Sequence, residues 1–202
     1  MEHPVSGRKI APVMGVGGAD WLERSEREKE ELPEQALDAI GLQPGMVVAD
    51  IGAGVGYMSL RAAKRVGATG KVYAEDIQPE MLAMLRDRMK RQGAKNVVPV
   101  LGSEADPKLP AGCCDVILMV DVYHELSRPQ EMLVRLRTAL KPDGRLVLLE
   151  YKKEDPAIPI RSEHKMSIGE AKMEVEHEGY VLDPNVKELP RQHVLVFHKT
   201  QQ

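Results

Sequence analysis

One short segment, residues 47–57, limits the fold of this chain more than any other. It runs from an apolar strand pattern through Asp50 into three glycines at alternate positions, Gly52, Gly54 and Gly56, and then into a helical pattern. Glycines at a strand-to-helix turn let the backbone approach a ligand closely, and the helix behind them directs unpaired N–H groups toward it. The segment therefore predicts an α/β sheet that binds a nucleotide-like ligand at its first strand.

The spacing of the glycines distinguishes between two cofactors that use such a turn. The dinucleotide fingerprint G-x-G-x-x-G requires glycine at position 57, where this chain has Tyr57. The pattern present is D-x-G-x-G-x-G, which favours S-adenosylmethionine. An NAD-dependent oxidoreductase is also disfavoured because no Tyr-x-x-x-Lys pair lies near the fourth and fifth predicted strands.

Strand and helix patterns alternate after this segment, which predicts a parallel sheet with helices on both faces. The predicted strands are 46–51, 71–75, 97–101, 115–120, 145–151, 180–186 and 192–198, and the predicted helices are 33–40, 56–66, 79–93, 127–140 and 167–179. Ser127 with Gln130 and Ser167 with Glu170 have the spacing that caps a helix start. The unbroken apolar run 115–120 is typical of a central strand that is covered on both faces.

With 202 residues and a mass of 22.4 kDa, the chain suits one domain with an extension. We expect the domain at 33–202 and an N-terminal arm at 1–32. Residues 1–19 are rich in glycine and proline without periodicity, so the arm could be disordered or a lid. A long loop, 152–166, follows the fifth predicted strand, and loops of this length are often functional.

Composition argues against several classes of partner. The net charge is -3 and the pI is near 6.1, without long basic blocks, so we expect no nucleic-acid partner. No apolar run reaches the roughly 18 residues of a membrane span, and no signal-peptide pattern opens the chain, so we expect a soluble protein. Cys113 and Cys114 are adjacent and provide neither a disulfide framework nor a C-x-x-C metal pair.

Acidic residues at the predicted strand ends are the first candidates for binding, because ligands of open α/β sheets lie beyond the carboxyl ends of the strands. The second strand ends in Glu75-Asp76, and an acid there can accept hydrogen bonds from both hydroxyls of a ribose. Asp76 is favoured for that role. The alternatives are that Asp76 caps the helix opening at Pro79 and that Asp50 is a turn residue.

Two acids follow the third predicted strand. Glu104 and Asp106 compete for a hydrogen bond from the exocyclic amine of an adenine. The alternative is that both are solvated loop acids.

The fourth predicted strand ends in Asp121, and the ionisable residues His124 and Glu125 follow it. His124 is the candidate general base, if the reaction needs one, or else a residue that shapes the pocket wall. The zinc signature H-E-x-x-H would need histidine at position 128, which is Arg128, so no metal site is predicted. Among the other histidines, His164 in the long loop is best placed to approach a substrate. Neither the G-x-S-x-G elbow nor the P-loop signature is present, which disfavours hydrolases and nucleotide triphosphatases.

Four segments occur in an order and spacing that are specific together: ADIGAGVGYMSL (49–60), KVYAEDIQPEML (71–82), LPAGCCDVILMVDVYHEL (109–126) and LKPDGRLVLLEY (140–151). Over residues 33–200 the chain resembles the class I S-adenosylmethionine-dependent methyltransferases of the methyltransferase-11/25 type, related to the ubiquinone/menaquinone methyltransferase group. The resemblance implies a Rossmann-like seven-stranded sheet in the order 3-2-1-4-5-7-6 with strand 7 antiparallel.

The resemblance also implies positions for the parts of S-adenosylmethionine. The glycine turn at 52–56 would hold the methionine part, Asp76 the ribose, and Ile77 with the 103–106 loop the adenine. The complete set of predicted cofactor contacts is Asp50, Gly52, Gly54, Gly56, Tyr57, Asp76, Ile77, Ser103, Glu104, Asp106 and Asp121. Catalytic residues do not carry over from the family, because substrate contacts come from variable extensions.

The function that these observations favour is methyl transfer from S-adenosylmethionine to a small organic acceptor, giving S-adenosylhomocysteine. The alternatives are a non-catalytic binding protein for these cofactors and methylation of a macromolecule. We expect a cytoplasmic location. The arm also resembles the mature start of certain bacterial relatives that carry an export signal, so an exported protein is the alternative. The oligomeric state is not predicted.

Overall fold

A computed structural model describes residues 1–200, which are organised around one eight-stranded sheet. The strands are β1 (Val47–Ile51), β2 (Lys71–Asp76), β3 (Val97–Leu101), β4 (Cys114–Val120), β5 (Leu140–Tyr151), β6 (Tyr180–Leu182), β7 (Lys187–Glu188) and β8 (Gln192–Lys199). Their order is β3-β2-β1-β4-β5-β8-β6, and β7 also pairs with β8. Strands β1 to β5 pair in parallel, whereas β8 is antiparallel to β5 and β6. The predicted order 3-2-1-4-5-7-6 is confirmed, with β8 as the predicted seventh strand.

Within residues 1–200, seven α-helices accompany the sheet: α1 (Ala19–Leu22), α2 (Arg27–Glu31), α3 (Pro33–Ile40), α4 (Tyr57–Val66), α5 (Pro79–Gln92), α6 (Pro129–Ala139) and α7 (Ile168–Glu176). One apolar core lies between the sheet and α3, α4 and α5, and a second lies between the sheet and α6 and α7. In β4, Val116 and Leu118 belong to the first core, and Ile117 and Met119 belong to the second. Strand β4 is therefore covered on both faces, as its apolar run predicts.

The helix starts agree only in part with the predicted caps. Ser167 caps α7 as predicted: its Oγ accepts a hydrogen bond from the N–H of Glu170 at 3.1 Å. The prediction for Ser127 is wrong, because the N-cap of α6 is Arg128, without a side-chain capping bond. Pro129 occupies the first helical position, where its missing N–H costs nothing, and it keeps Arg128 out of the helical conformation.

Two strand boundaries also differ from the predictions. Strand β5 begins at Leu140 rather than residue 145, because Leu140 pairs with Cys114 before the register shifts to the Val116–Arg145 pair, and residues 141–144 bulge out between them. The predicted strand 180–186 is too long: β6 ends at Leu182, residues 183–186 form no strand, and the two-residue β7 follows them. Both β6 and β7 pair with β8.

The N-terminal arm packs against the domain. His3, Arg8 and Ile10 are buried, and the carboxylate of Glu174 on α7 accepts hydrogen bonds from Arg8 Nε at 3.0 Å and Nη2 at 3.1 Å. The Nε2 atom of His3 lies 3.3 Å from the same carboxylate. The arm is therefore an ordered part of the fold. Among the helices of residues 1–200, none combines the length and the apolar character needed to cross a bilayer.

Candidate active site

A cavity of about 660 Å³ opens at the carboxyl ends of the parallel strands. Its wall includes Gly52 and Gly54 after β1, Asp76 at the end of β2, Asp121 after β4 and Tyr151 at the end of β5. Residues of the arm and of the loop after β5 complete the wall. Strand order reverses between β1 and β4, which is where ligands of open α/β sheets bind. The volume lies in the range of small-molecule and cofactor sites.

The glycine turn has a backbone that other residues rarely adopt. Gly52, Gly54 and Gly56 have φ values of +68°, +55° and +83°. A Cβ atom on Gly52 would lie 2.6 Å from Val122 Cγ2, so a side chain there has no room. Gly52 and Gly54 line the cavity, whereas Gly56 is the N-cap of α4 and lies against Leu85 outside the cavity wall. Two of the three glycines therefore expose their backbone to a ligand, and the third makes the turn.

Two predicted cofactor contacts, Asp50 and Tyr57, do not line this cavity. Asp50 is buried and accepts a hydrogen bond of 2.5 Å from Ser59 Oγ, which ties β1 to α4. Burial raises the pKa of Asp50 to about 6. The Tyr57 hydroxyl donates to Glu28 at 2.7 Å, and the Arg27 guanidinium lies 4.1 Å from its ring centroid. The structure thus gives both residues contacts that hold the fold together.

The two acids at the end of β2 both line the cavity but have different environments. The Asp76 carboxylate accepts hydrogen bonds from the N–H groups of Gly54 and Gln78, each at 2.8 Å. Burial raises the pKa of Asp76, and these backbone bonds oppose the rise. Glu75 accepts a single long bond of 3.4 Å from the N–H of Gly52, and its Oε1 has no partner among the described residues. Burial raises the pKa of Glu75 to about 8.

The two candidates for contact with the adenine, both in the segment after β3, differ in their position relative to the cavity. Ser103 and Glu104 line the cavity together with Ile77, whereas Asp106 does not. Asp106 instead lies 2.9 Å from the ammonium of Lys108, and the hydrogen bonds from Lys108 lower the pKa of Asp106. The geometry therefore favours Glu104 over Asp106 as the acceptor for the adenine amine.

A second group of ionisable residues lines the cavity after β4. Asp121 has a φ of +54°, is half-buried just after β4 and accepts a hydrogen bond of 2.8 Å from Gln192 Nε2. Its Oδ1 is unpaired within residues 1–200. Burial and the nearby acids Glu31 and Glu150 raise the pKa of Asp121 well above its usual range.

His124, the predicted catalytic residue, is 2% exposed and lies on the cavity wall. Its Nδ1 is 2.6 Å from Glu150 Oε2, and its Nε2 is 3.1 Å from Nδ1 of His164. Burial lowers the pKa of His124, but the charge and hydrogen bond of Glu150 outweigh it and leave the pKa raised. Burial and the neighbouring His124 lower the pKa of His164. The loop thus brings His164 to His124, although 40 residues separate them.

Several cavity residues were not predicted from the sequence. Glu31 accepts hydrogen bonds from Tyr151 Oη at 2.7 Å, Arg27 Nε at 2.6 Å and Arg24 Nη2 at 2.8 Å, and all four line the cavity. Tyr151 could have been found, because it ends a predicted strand. The three arm residues lie in a polar helical stretch whose pattern does not show which side faces the domain.

Comparisons with known proteins agree with this architecture. A family model described as a methyltransferase domain matches residues 42–190. The ubiquinone/menaquinone biosynthesis C-methyltransferase UbiE of Laribacter hongkongensis is 33% identical over 117 residues, which cover 58% of this chain and 48% of that protein. UbiE of Paraburkholderia phymatum is 35% identical over 113 residues, covering 55% and 46%. This chain thus spans about half the length of the curated relatives it matches.

Solved structures show the same fold over nearly the whole chain. A SAM-dependent methyltransferase from Aquifex aeolicus has a TM-score of 0.85 and 31% identity, and the match covers 92% of this chain and 98% of that one. The [4+2]-cyclase SpnF matches with a TM-score of 0.71 at 14% identity, which shows the fold alone. The chain belongs to the methyltransferase domain family, in the class I S-adenosylmethionine-dependent group related to UbiE, which confirms the resemblance of its four sequence segments.

Proposed function

We propose that this chain binds S-adenosylmethionine and transfers its methyl group to a small organic acceptor, releasing S-adenosylhomocysteine. The observation that carries this proposal is the Gly54 N–H donating to the Asp76 carboxylate at 2.8 Å beside a bare glycine turn on the cavity wall. The acid and the turn are thereby held together at the point where the ribose and the methionine part of the cofactor meet.

The cofactor half of the cavity provides one contact for each part of the ligand. The exposed backbone at Gly52 and Gly54 receives the methionine part, and Asp76 accepts from the ribose hydroxyls. Ile77 packs against the adenine, and Ser103 and Glu104 provide acceptors for its amine. Asp50, Gly56 and Tyr57 make contacts within the fold outside this wall, and Asp106 pairs with Lys108.

Parts of the arm and of the loop after β5 line the cavity, which favours a small molecule over a macromolecule. Val13, Met14 and Trp21 come from the arm, and Pro159 and Ile160 come from the loop. A sulfonium methyl group is already activated, so the main task of such a site is to hold an acceptor in line with it and to exclude water. The relatives named as quinone-pathway C-methyltransferases make quinone precursors the first acceptors to test.

The proposal extends to the partners and the cellular location of the protein. No nucleic-acid partner is proposed, in keeping with the net charge of -3. The cytoplasm is the proposed location, because S-adenosylmethionine is made there, and export remains the alternative. Fractionation of cells that make the protein from its native reading frame distinguishes the two.

The test of the reaction is transfer of a labelled methyl group. The untagged protein is incubated with methyl-labelled S-adenosylmethionine and a panel of acceptors of at most two rings: hydroxyquinols, phenols, catechols and thiols. We expect label in at least one acceptor, with equal formation of S-adenosylhomocysteine. Cofactor binding without transfer to any small molecule, together with transfer to protein or RNA in an extract, would contradict the small-acceptor proposal.

A further inference from the structure

Three potential metal ligands converge at the acceptor end of the cavity. His124 Nε2 and His164 Nδ1 lie 3.1 Å apart, and Glu125 Oε1 lies 3.8 Å from the first and 3.6 Å from the second. His124 and Glu125 belong to the turn after β4, whereas His164 belongs to the loop after β5. All three side chains line the cavity. We propose that they form a binding site for a divalent transition-metal ion, of which Zn²⁺ fits the donor set best.

The distances between the three atoms match those of metal ligands. Nitrogen and oxygen ligands that lie about 2.0–2.2 Å from a tetrahedral zinc ion are about 3.3–3.6 Å from one another. The observed separations of 3.1, 3.6 and 3.8 Å centre on that interval. A metal ion can therefore bind all three atoms with side-chain shifts of a few tenths of an ångström.

Glu150 favours the tautomer of His124 that can bind a metal ion. A carboxylate only accepts hydrogen bonds, so the proton of the neutral imidazole lies on Nδ1, 2.6 Å from Glu150 Oε2, and the lone pair lies on Nε2. Metal-bound histidines typically donate their other ring N–H to a carboxylate in this way. The backbone of His124 is also fixed, because its carbonyl accepts from Arg8 Nη1 and from the N–H of Ala11, both at 3.1 Å.

Hydrogen bonds do not join all three ligand atoms to one another. Without a metal, His164 Nδ1–H can donate to His124 Nε2, but the Glu125 carboxylate is then beyond hydrogen-bond distance of both rings. A divalent ion would bind Nε2 of His124, the carboxylate and Nδ1 of His164, whose proton moves to Nε2 of the same ring. The carboxylate of Glu150 lies directly behind His124.

The donor types distinguish among metals and indicate a use for the ion. Two imidazoles and one carboxylate suit Zn²⁺, with Fe²⁺ or Mn²⁺ as alternatives, whereas Mg²⁺ and Ca²⁺ prefer oxygen ligands. Three protein ligands leave at least one coordination position open toward the cavity. If the proposed function holds, an ionisable hydroxyl of the acceptor would bind at that position. The predicted role of His124 as a base would then be replaced by metal binding, because one lone pair cannot serve both.

The test is a metal titration of the full-length protein without an affinity tag, after removal of metals with a chelator. We expect one Zn²⁺ per chain by calorimetry, and one Co²⁺ with the visible absorption of four- or five-coordinate nitrogen and oxygen ligands. His164→Ala and Glu125→Gln should abolish the Co²⁺ spectrum. Glu150→Gln, which changes only the partner of His124, should weaken Zn²⁺ binding by about 10–100-fold. His177→Ala, which removes an exposed histidine from the end of α7, should leave it unchanged.

Titration with S-adenosylmethionine on the same samples separates this inference from the proposed function. Cofactor binding by folded wild-type protein that takes up no Zn²⁺ or Co²⁺ would overturn the metal site and leave the proposed function intact. Zn²⁺ affinity unchanged in His164→Ala would also overturn it, because the ion would then be bound elsewhere. Metal binding without cofactor binding would support the site and contradict the proposed function.

Discussion

The two neighbouring acids at the end of β2 differ in their hydrogen bonds and therefore in their ionisation. Asp76 and Glu75 are both buried acids on the cavity wall. Asp76 has two backbone N–H donors at 2.8 Å, one of them in the glycine turn, so it orders the turn while presenting its carboxylate to the cavity. Glu75 has one weak donor and an unpaired oxygen, and burial therefore controls its ionisation.

The variant Asp76→Asn tests the first of these roles. We expect binding of S-adenosylmethionine to weaken by about 10–100-fold, since hydrogen bonds to a charged group contribute about 1.5–3 kcal/mol. Calorimetric titration measures the affinity, and thermal unfolding checks that the variant is folded. Asp143→Asn, at an exposed position in the bulge of β5, is the control. An affinity for Asp76→Asn equal to that of the control would remove Asp76 from the cofactor site.

The variant Glu75→Gln tests the effect of burial on ionisation. The pKa of Glu75 rises from 4.5 in the unfolded chain to about 8 in the folded protein, so the folded protein holds a proton that the unfolded chain releases. The contribution of the protonated carboxyl to stability is complete below pH 4.5 and falls as the pH rises toward 8. We expect Glu75→Gln to lose less thermal stability than wild type between pH 5 and 8.

Thermal unfolding across that pH range provides the measurement, with Glu80→Gln, an exposed acid at the start of α5, as the matched control. The wild-type loss attributable to Glu75 is on the order of a few kcal/mol, at about 1.4 kcal/mol per pKa unit. Parallel curves for Glu75→Gln and wild type would show that Glu75 ionises normally in the folded protein.

At the scale of elements, a buried ion pair with α7 holds the first part of the arm, whereas later residues of the arm pack beside the glycine turn and α5. Glu174 is fully buried and pairs with Arg8 through two hydrogen bonds, and the arm carries Val13 and Met14 from there to the cavity. Removing one partner of a buried ion pair leaves an uncompensated charge and typically costs about 3–5 kcal/mol. The attachment of the arm is therefore sensitive to a single side chain.

Glu174→Gln should release the arm without unfolding the domain, because α7 keeps Ala171 and Val175 in the second core. We expect trypsin to cleave after Arg8 or Lys9 at least tenfold faster than in wild type, as followed by mass spectrometry. The control is Glu131→Gln, an exposed acid of α6. Cleavage at the wild-type rate would mean that other contacts hold the arm.

The elements that follow a local pattern could be predicted, and those fixed by distant contacts could not. The glycine turn, the strand order and the cap of α7 depend on neighbouring residues or on the family resemblance. The Ser127 prediction failed because Pro129 sets the helix start two residues later. The arm has no periodicity because single polar residues anchor it, and Arg8 lies 166 residues from Glu174.

For the whole molecule, we propose that one cavity holds both the cofactor and the acceptor. The glycines and acids that line it at the carboxyl ends of β1, β2 and β3 could be proposed from the sequence because they follow predicted strands. Residues that the arm and the loop after β5 bring to the cavity, such as Glu31 and the His124–His164 pair, required the structure. The match to the cyclase SpnF shows that the fold alone does not determine the reaction.

Calorimetric titration of the purified chain with S-adenosylmethionine, S-adenosylhomocysteine and NAD would show whether the glycine turn and Asp76 bind an adenosyl cofactor. We expect saturable binding of both adenosyl ligands with one site per chain, because they share every group that the cofactor half contacts. We expect no binding of NAD, because Tyr57 stands where its fingerprint needs glycine. Binding of NAD in the absence of both adenosyl ligands would contradict the account.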